Sequence, residues 1–157
     1  MAEVYGTTAF VEDGRDKIKA LLDTLVTAMA TGYDPTLSYV YDGHHTADIR
    51  LNAATVDFVD AEWSEEGVDA ANRAVGILWS LTYSVRVHVA YVGGIQDDVK
   101  TGRLLNSVAN KLLANRSLDD GYGIDEVSNF VVGEEFPHTK GGYLAVVVHK
   151  YVEHTQE

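Results

Sequence analysis

The strictest hydrophobic pattern in the chain is the alternation over residues 82–91 (TYSVRVHVAY), where the odd positions are apolar and the even ones mostly polar. Successive side chains of a strand point to opposite faces of a sheet, so this pattern predicts a strand that packs one face on a core. Arg86 and His88 lie on its polar face. They are candidates for contacts between subunits, and an ordinary solvated sheet face is the alternative.

Two stretches have the spacing of an amphipathic helix. The first, 13–31, begins at the possible N-cap Asp13 and repeats apolar residues every three or four positions from Ile18 to Met29. The second, 97–115, begins at Asp97 and Asp98, either of which can cap it. Its apolar face comprises Leu104, Leu105, Val108, Ala109, Leu112 and Leu113.

Other stretches are rich in β-branched and aromatic residues and predict further strands. They are 36–41 and 55–63 within a region of strands and loops from 36 to 92, and 126–132 and 143–152, which lie within the C-terminal strand region 126–152. Residues 144–148 are apolar at every position, which indicates an interior strand. Residues 1–12 have no such pattern and are predicted to form a flexible arm.

The order helix, strands, helix, strands contains no internal repeat and favours one domain over residues 1–157. It predicts an α+β fold with a mostly antiparallel sheet of about four to six strands. Both main helices are expected on one face of that sheet. The other face then needs solvent-compatible residues or a partner.

The excess of acidic over basic residues argues against nucleic acid as a binding partner. The chain has 24 acidic and 12 basic residues, a formal net charge of −12, and such a surface repels the phosphates of nucleic acids. Solubility is one interpretation of this charge. An electronegative channel that DNA passes without binding is another. A halophilic host is the third, because the Debye length falls to about 3 Å at 1 M salt.

The sequence has no cysteine, no signal peptide at its first residues and no apolar run long enough to cross a bilayer. We therefore expect synthesis and use in the cytoplasm. No nucleophile elbow, phosphate loop or calcium loop has the required spacing. No two histidines have the spacing of a helical zinc motif. We predict no catalytic residue, no cofactor and no metal.

The interface candidates are an exposed tryptophan and several polar side chains. Trp63 stands among Glu62, Ser64 and Glu65, and large aromatic residues are favoured at the centres of interfaces. His44 and His45 are adjacent in a predicted loop. The full set of interface candidates is Trp63, Arg86, His88, His44 and His45.

The whole pattern resembles the tail terminator, or tail completion, proteins of tailed bacteriophages and archaeal tailed viruses. The segments that carry the resemblance are GRDKIKALLDTLVTAMATG, TLSYVYDG, LTYSVRVHVAYVGG and IQDDVKTGRLLNSVANKLLANRSL, followed by two closing strands. The likeness covers nearly the whole chain in size and element order. One departure is the long segment 42–72, which is richer in polar residues than a minimal terminator needs.

The resemblance implies a non-catalytic virion protein that assembles in the host cytoplasm into a homo-oligomeric ring, usually a hexamer. Such a ring caps the tail tube protein and joins it to the head–tail connector protein, with DNA only as passing cargo and no membrane. A neck or connector subunit is the nearest alternative.

Two other classes remain open. One is a small ligand-binding domain or isomerase-like enzyme with a pocket under a curved sheet, in which Tyr39, Tyr41, Asp57 and His88 would be the polar groups. The other is an adaptor that binds one protein partner.

Overall fold

The structure, a computed structural model, describes residues 9–28, 37–43, 52–65, 76–90, 95–136 and 139–153. These residues form two helices and five strands. In chain order they are α1 (Ala9–Ala28), β1 (Tyr39–Asp42), β2 (Ala53–Glu65), β3 (Gly76–Ala90), α2 (Ile95–Ala114), β4 (Tyr122–Phe136) and β5 (Thr139–Glu153).

The five strands form one sheet in the order β1-β2-β3-β5-β4. Every neighbouring pair is antiparallel except β1 and β2, which run parallel through the register Tyr39↔Ala53 to Asp42↔Val56. Strand β3 lies in the middle, and β5 is an interior strand as its all-apolar segment predicted. The α+β fold with a mostly antiparallel sheet is therefore confirmed.

Both helices cover the same face of the sheet. Helix α1 packs over β1, β2 and β3, whereas α2 packs over β3, β4 and β5, and the two helices touch each other. Between them and the sheet lies one apolar core, to which the odd residues 81–89 of β3 contribute. Its largest members include Tyr83, Ile18, Leu22, Leu37, Leu81, Leu104, Leu105, Leu112 and Leu144. The alternation in β3 thus sets one face under the helices and leaves the other face, called here the open face, away from them.

Helix α1 begins at Ala9, so residues 9–12 of the predicted flexible arm are helical. The Tyr122 hydroxyl donates a hydrogen bond to the carbonyl oxygen of Phe10 at 2.8 Å. The Tyr83 hydroxyl donates to the carbonyl oxygen of Val11 at 2.5 Å. These two bonds attach the first turn of α1 to the sheet. The prediction that the helix starts at a cap on Asp13 was wrong, because the stabilising partners are distant in sequence.

Gly14 is buried where the first turns of α1 approach the Tyr83 ring. A Cβ atom at this position would overlap the hydroxyl oxygen of Tyr83. Glycine is unfavourable inside a helix by roughly 1 kcal/mol relative to alanine. Its presence here follows from the close approach of the tyrosine, which outweighs helix propensity.

Several strands extend beyond their predicted limits. Residues 133–142 lie between the predicted strands 126–132 and 143–152, where a connection is expected. Strands β4 and β5 continue to Phe136 and from Thr139, so most of these residues are strand. Gly141 pairs with His88, and a Cβ there would overlap the carbonyl oxygen of Val87. Glycines that indicate a loop in sequence are here required for strand packing.

Gly14→Ala is expected to lower the free energy of unfolding by about 1–3 kcal/mol, the usual cost of overpacking. In a Tyr83→Phe background the same substitution should cost much less, because the overlapping hydroxyl is absent. Tyr83→Phe alone should cost about 0.5–1.5 kcal/mol for the lost hydrogen bond. Urea unfolding of the four proteins in this cycle measures the coupling.

Gly102→Ala is the matched control, because a Cβ at this helical glycine meets no atom within 4 Å. It should raise the free energy of unfolding by about 0.5–1 kcal/mol. Equal costs for Gly14→Ala with and without the Tyr83 hydroxyl would contradict the packing explanation.

Alkaline pH should destabilise the fold through Tyr83 and Tyr122. Burial raises the pKa of Tyr83, and burial with the charges of Asp13 and Asp120 raises the pKa of Tyr122 to about 12. An unfolded tyrosine ionises near about pH 10. Because the folded pKa is the higher one, the stabilisation is complete below about pH 10 and is lost as the pH rises through about 12.

Thermal unfolding followed between about pH 8 and pH 12 measures this loss, since about pH 10 is where unfolded tyrosines begin to ionise. The Tyr83→Phe/Tyr122→Phe variant should lose less stability over the same interval. An identical pH dependence in the variant would assign the effect to other groups.

Candidate interaction surface

A row of aromatic rings occupies the far end of the β2–β3 pair, on the face that the helices cover elsewhere. The ring centroids of Trp63 and Trp79 are 6.3 Å apart, and those of Trp79 and Phe10 are 5.0 Å apart. We call these three residues the aromatic strip. Trp63 is 63% exposed, whereas Phe10 and Trp79 are half-buried against the core.

A β-bulge in β2 decides which side chains join this strip. Phe58 pairs with Tyr83 but Asp60 pairs with Thr82, so Val59 is an extra residue in the strand. An extra residue shifts the alternation of all later positions by one. After the bulge, Trp63 therefore shares a face with the core, and Glu62 points to the open face.

The same bulge collects carboxylates on the opposite side of β2. Asp57 precedes it, and Asp60 and Glu62 follow it; all three pair with even-numbered residues of β3 and lie on the open face. The Asp60 carboxylate accepts a hydrogen bond from the N–H of Ala61 at 2.9 Å. The second half of β2 is thus aromatic on one face and acidic on the other.

This part of β2 is also an outer edge of the sheet. Strand β1 pairs only with Ala53–Val56, and among the described residues no strand pairs with the outer edge of β2 from Asp57 onward. Phe58 and Val59 are 42% and 58% exposed. We call the segment 57–65 the β2 edge.

The structure separates the predicted interface residues. Arg86 is half-buried on the open face, with its guanidinium carbon 5.2 Å from the ring centroid of Tyr143. His88 lies on the same face but is only 1% exposed, so its ring is covered within the chain. Trp63 is far from both, at the other end of β3. His44 and His45 lie outside the described residues.

The residues of the predicted ligand pocket also lie on the open face. The rings of Tyr39 and Tyr41 are 4.5 Å apart on the short edge strand β1, and Asp57 lies farther along β2. Neither these three nor His88 lines the two surface grooves described below.

The larger groove, about 1030 Å³, lies between α1 and the turn that precedes β4. Lys17 forms an ion pair with the Asp120 carboxylate at 2.8 Å, and the Lys150 ammonium donates to the Asp120 carbonyl oxygen at 2.5 Å. Both ammonium groups lie over the Tyr122 ring, 5.5 Å and 4.7 Å from its centroid. The hydrogen bond from Lys17 lowers the pKa of Asp120. These cations are held by groups of the protein itself.

The smaller groove, about 390 Å³, contains His149, whose Nδ1 lies 2.6 Å from an Asp125 carboxylate oxygen. Arg116 donates to the carbonyl oxygen of Asp125 at 3.1 Å. In the described ranges no group of three or more His, Asp or Glu side chains is placed to hold a metal ion. Neither described helix has a stretch apolar enough to cross a membrane.

The expected exposure of Trp63 agrees with the structure, whereas the aromatic residues next to it were not predicted. Phe10 was assigned to the flexible arm, and the bulge at Val59 has no local sequence signal. The groove formed around Tyr122 was also missed, because Lys17 and Asp120 are 103 positions apart.

Comparisons with known proteins do not assign a family. No protein-family model matches the chain. A leucine–tRNA ligase from Pasteurella multocida (strain Pm70) is 28% identical over 82 residues. That match covers 52% of this chain and 10% of the ligase, so the chain spans about a tenth of that protein's length.

Trp63 and Trp79 should differ in solvent access. In a Trp79→Phe variant the remaining Trp63 should be quenched strongly by acrylamide, with emission typical of a hydrated indole, because it is 63% exposed. In the Trp63→Phe variant the half-buried Trp79 should be quenched less. Measurements at low protein concentration keep self-association out of the comparison. Equal quenching of the two variants would contradict the described burial.

Proposed function

We propose that this chain is a structural, non-catalytic virion protein that forms a ring at the head–tail junction of a tailed virus. In this proposal it acts as a tail terminator, which caps the tail tube and joins it to the head connector. The resemblance in element order supports the role. The α+β fold with both helices on one face of the sheet agrees with it.

The observation that carries the proposal is the concentration of exposed apolar side chains on the β2 edge. Phe58, Val59 and Trp63 are three of the seven large hydrophobic residues that are exposed in the described part of the chain. Contiguous exposed apolar surface marks sites of interaction with other proteins. A ring subunit requires such a surface for contact with its neighbours.

The net charge of −12 suits a ring around passing DNA. Phosphate backbones bind Lys and Arg, so a wall rich in carboxylates lets DNA move without being retained. The orientation of the subunits in the ring determines which surface lines the channel.

A ligand-binding domain is the alternative that the larger groove favours. Its volume of about 1030 Å³ is sufficient for a small molecule. Against it, the ammonium groups of Lys17 and Lys150 are already bound to Asp120. The ring proposal therefore has the stronger support.

Light scattering coupled to size exclusion, followed by electron microscopy of negatively stained particles, tests the ring. We expect one closed assembly whose mass is a fixed multiple of 17.2 kDa and does not grow with protein concentration. Six subunits are expected from the resemblance. Addition of purified tail tubes from a tailed virus of the same host should place the ring at one tube end.

A monomer that carries a discrete small molecule in native mass spectrometry would favour the ligand-binding alternative. Open filaments of indefinite mass would contradict a closed ring. Binding along the sides of tubes, or only to connectors, would replace the terminator role with that of another tail or neck component.

A further inference from the structure

Helix α2 has Asp97 and Asp98 near its start and is basic over the rest of its length. From Val99 to Leu118 there are four basic residues and no acidic one. Three of them, Lys100, Arg103 and Lys111, belong to α2, and none of the three forms an ion pair with a described residue. The outward stripe of α2 consists of Val99, Arg103, Asn106, Asn110 and Leu113, all exposed.

The β2 edge has the opposite character. Strand β2 contains four acidic residues and no basic one. Asp60 and Glu62 are exposed on one face, and Trp63 is exposed on the other. The β2 edge therefore offers negative charge beside apolar surface. The α2 stripe offers the charge of Arg103, flanked by the half-buried Lys100, with an exposed apolar residue at each end, Val99 and Leu113.

The two surfaces do not meet within one chain. Helix α2 packs on β3, β4 and β5, and its stripe points away from the sheet. The β2 edge lies beyond β3 in the other direction, on the side covered by α1. Contact between them requires two molecules.

The dimensions of the two surfaces agree. The stripe from Val99 to Leu113 is about 21 Å long at 1.5 Å per helical residue. The β2 edge from residue 57 to 65 is about 26 Å long at 3.3 Å per strand residue. A helix laid along the edge could therefore place basic residues near Asp60 and Glu62 while Val99 or Leu113 reaches the aromatic strip.

We propose that the β2 edge of one subunit binds the α2 stripe of a second copy of this chain. This inference rests on the proposed ring function and names the contact that builds the ring. The two surfaces differ, so the contact is heterologous, and repeated heterologous contacts close into a ring when the rotation between subunits allows it. Trp63 is the apolar anchor, and the charges set the register.

Charge exchange between the two surfaces tests the contact in the full-length chain. The edge variant is Asp60→Lys/Glu62→Lys, and the helix variant is Lys100→Glu/Arg103→Glu. Each should weaken self-association at least about tenfold, because like charges then face each other. The chain with all four substitutions should regain association, since the charges are complementary again. A mixture of the edge variant and the helix variant should also associate.

The matched control for the edge variant is Asp119→Lys/Glu126→Lys, which changes the net charge by the same amount at exposed positions away from both surfaces. It should associate like the unmodified chain. Sedimentation velocity at about 0.1 M and about 1 M salt adds a second measurement, because the Debye length falls from about 10 Å to about 3 Å. Self-association should be weaker at the higher salt concentration, because the charges across the contact are then screened.

The outcomes of these experiments test the contact between the β2 edge and the α2 stripe separately from the proposed ring. A ring that persists unchanged in both charge variants would overturn this contact and leave the proposed function standing. Charge-dependent pairing that gives filaments would support the contact and contradict the ring. A chain that remains monomeric at all concentrations and salt levels would overturn the contact. Circular dichroism and urea unfolding exclude misfolding as the reason for lost association, and Asp60→Asn/Glu62→Gln replaces a variant that misfolds.

Discussion

Strand β3 is the element on which the rest of the structure depends. It pairs with β2 on one side and β5 on the other, and both helices pack on its odd-numbered residues. The alternation of apolar and polar residues from Leu81 to Val89 lets this strand support a buried core on one face and polar side chains on the other. A shift of one residue in its register would exchange these faces, so the hydrophobic pattern specifies one pairing strongly.

The tyrosine contacts show how the core fixes the position of α1. Tyr83 is fully buried, yet its hydroxyl reaches a helix carbonyl because Gly14 leaves room for it. Buried hydroxyl groups require a partner, since an unpaired one costs about 1–3 kcal/mol. The helix is therefore held at its first turn by polar bonds and along its length by Ile18 and Leu22.

The elements of the fold that could be predicted from the sequence are those whose apolar residues repeat at regular intervals. The two helices, the alternation in β3 and the interior character of β5 all follow from repeating apolar positions. Where a contact between distant residues decides the local structure, the prediction failed. Gly141 looks like part of a loop until the β3 backbone is in place, and Asp13 looks like a cap. Trp63 was predictable as exposed from its acidic neighbours, but the bulge that orients it depends on pairing with β3.

The position of β5 in the sheet has a consequence for synthesis of the protein. This strand is the last of the five in the chain, yet it lies between β3 and β4 and pairs with both. Gly76 pairs with Glu153, across nearly half of the sequence. A growing chain on the ribosome therefore cannot complete its sheet until β5 has emerged, and pairing between such distant segments is slow. Incomplete chains expose the apolar flanks and unpaired edges of β3 and β4, and such surfaces are prone to aggregation and are bound by chaperones.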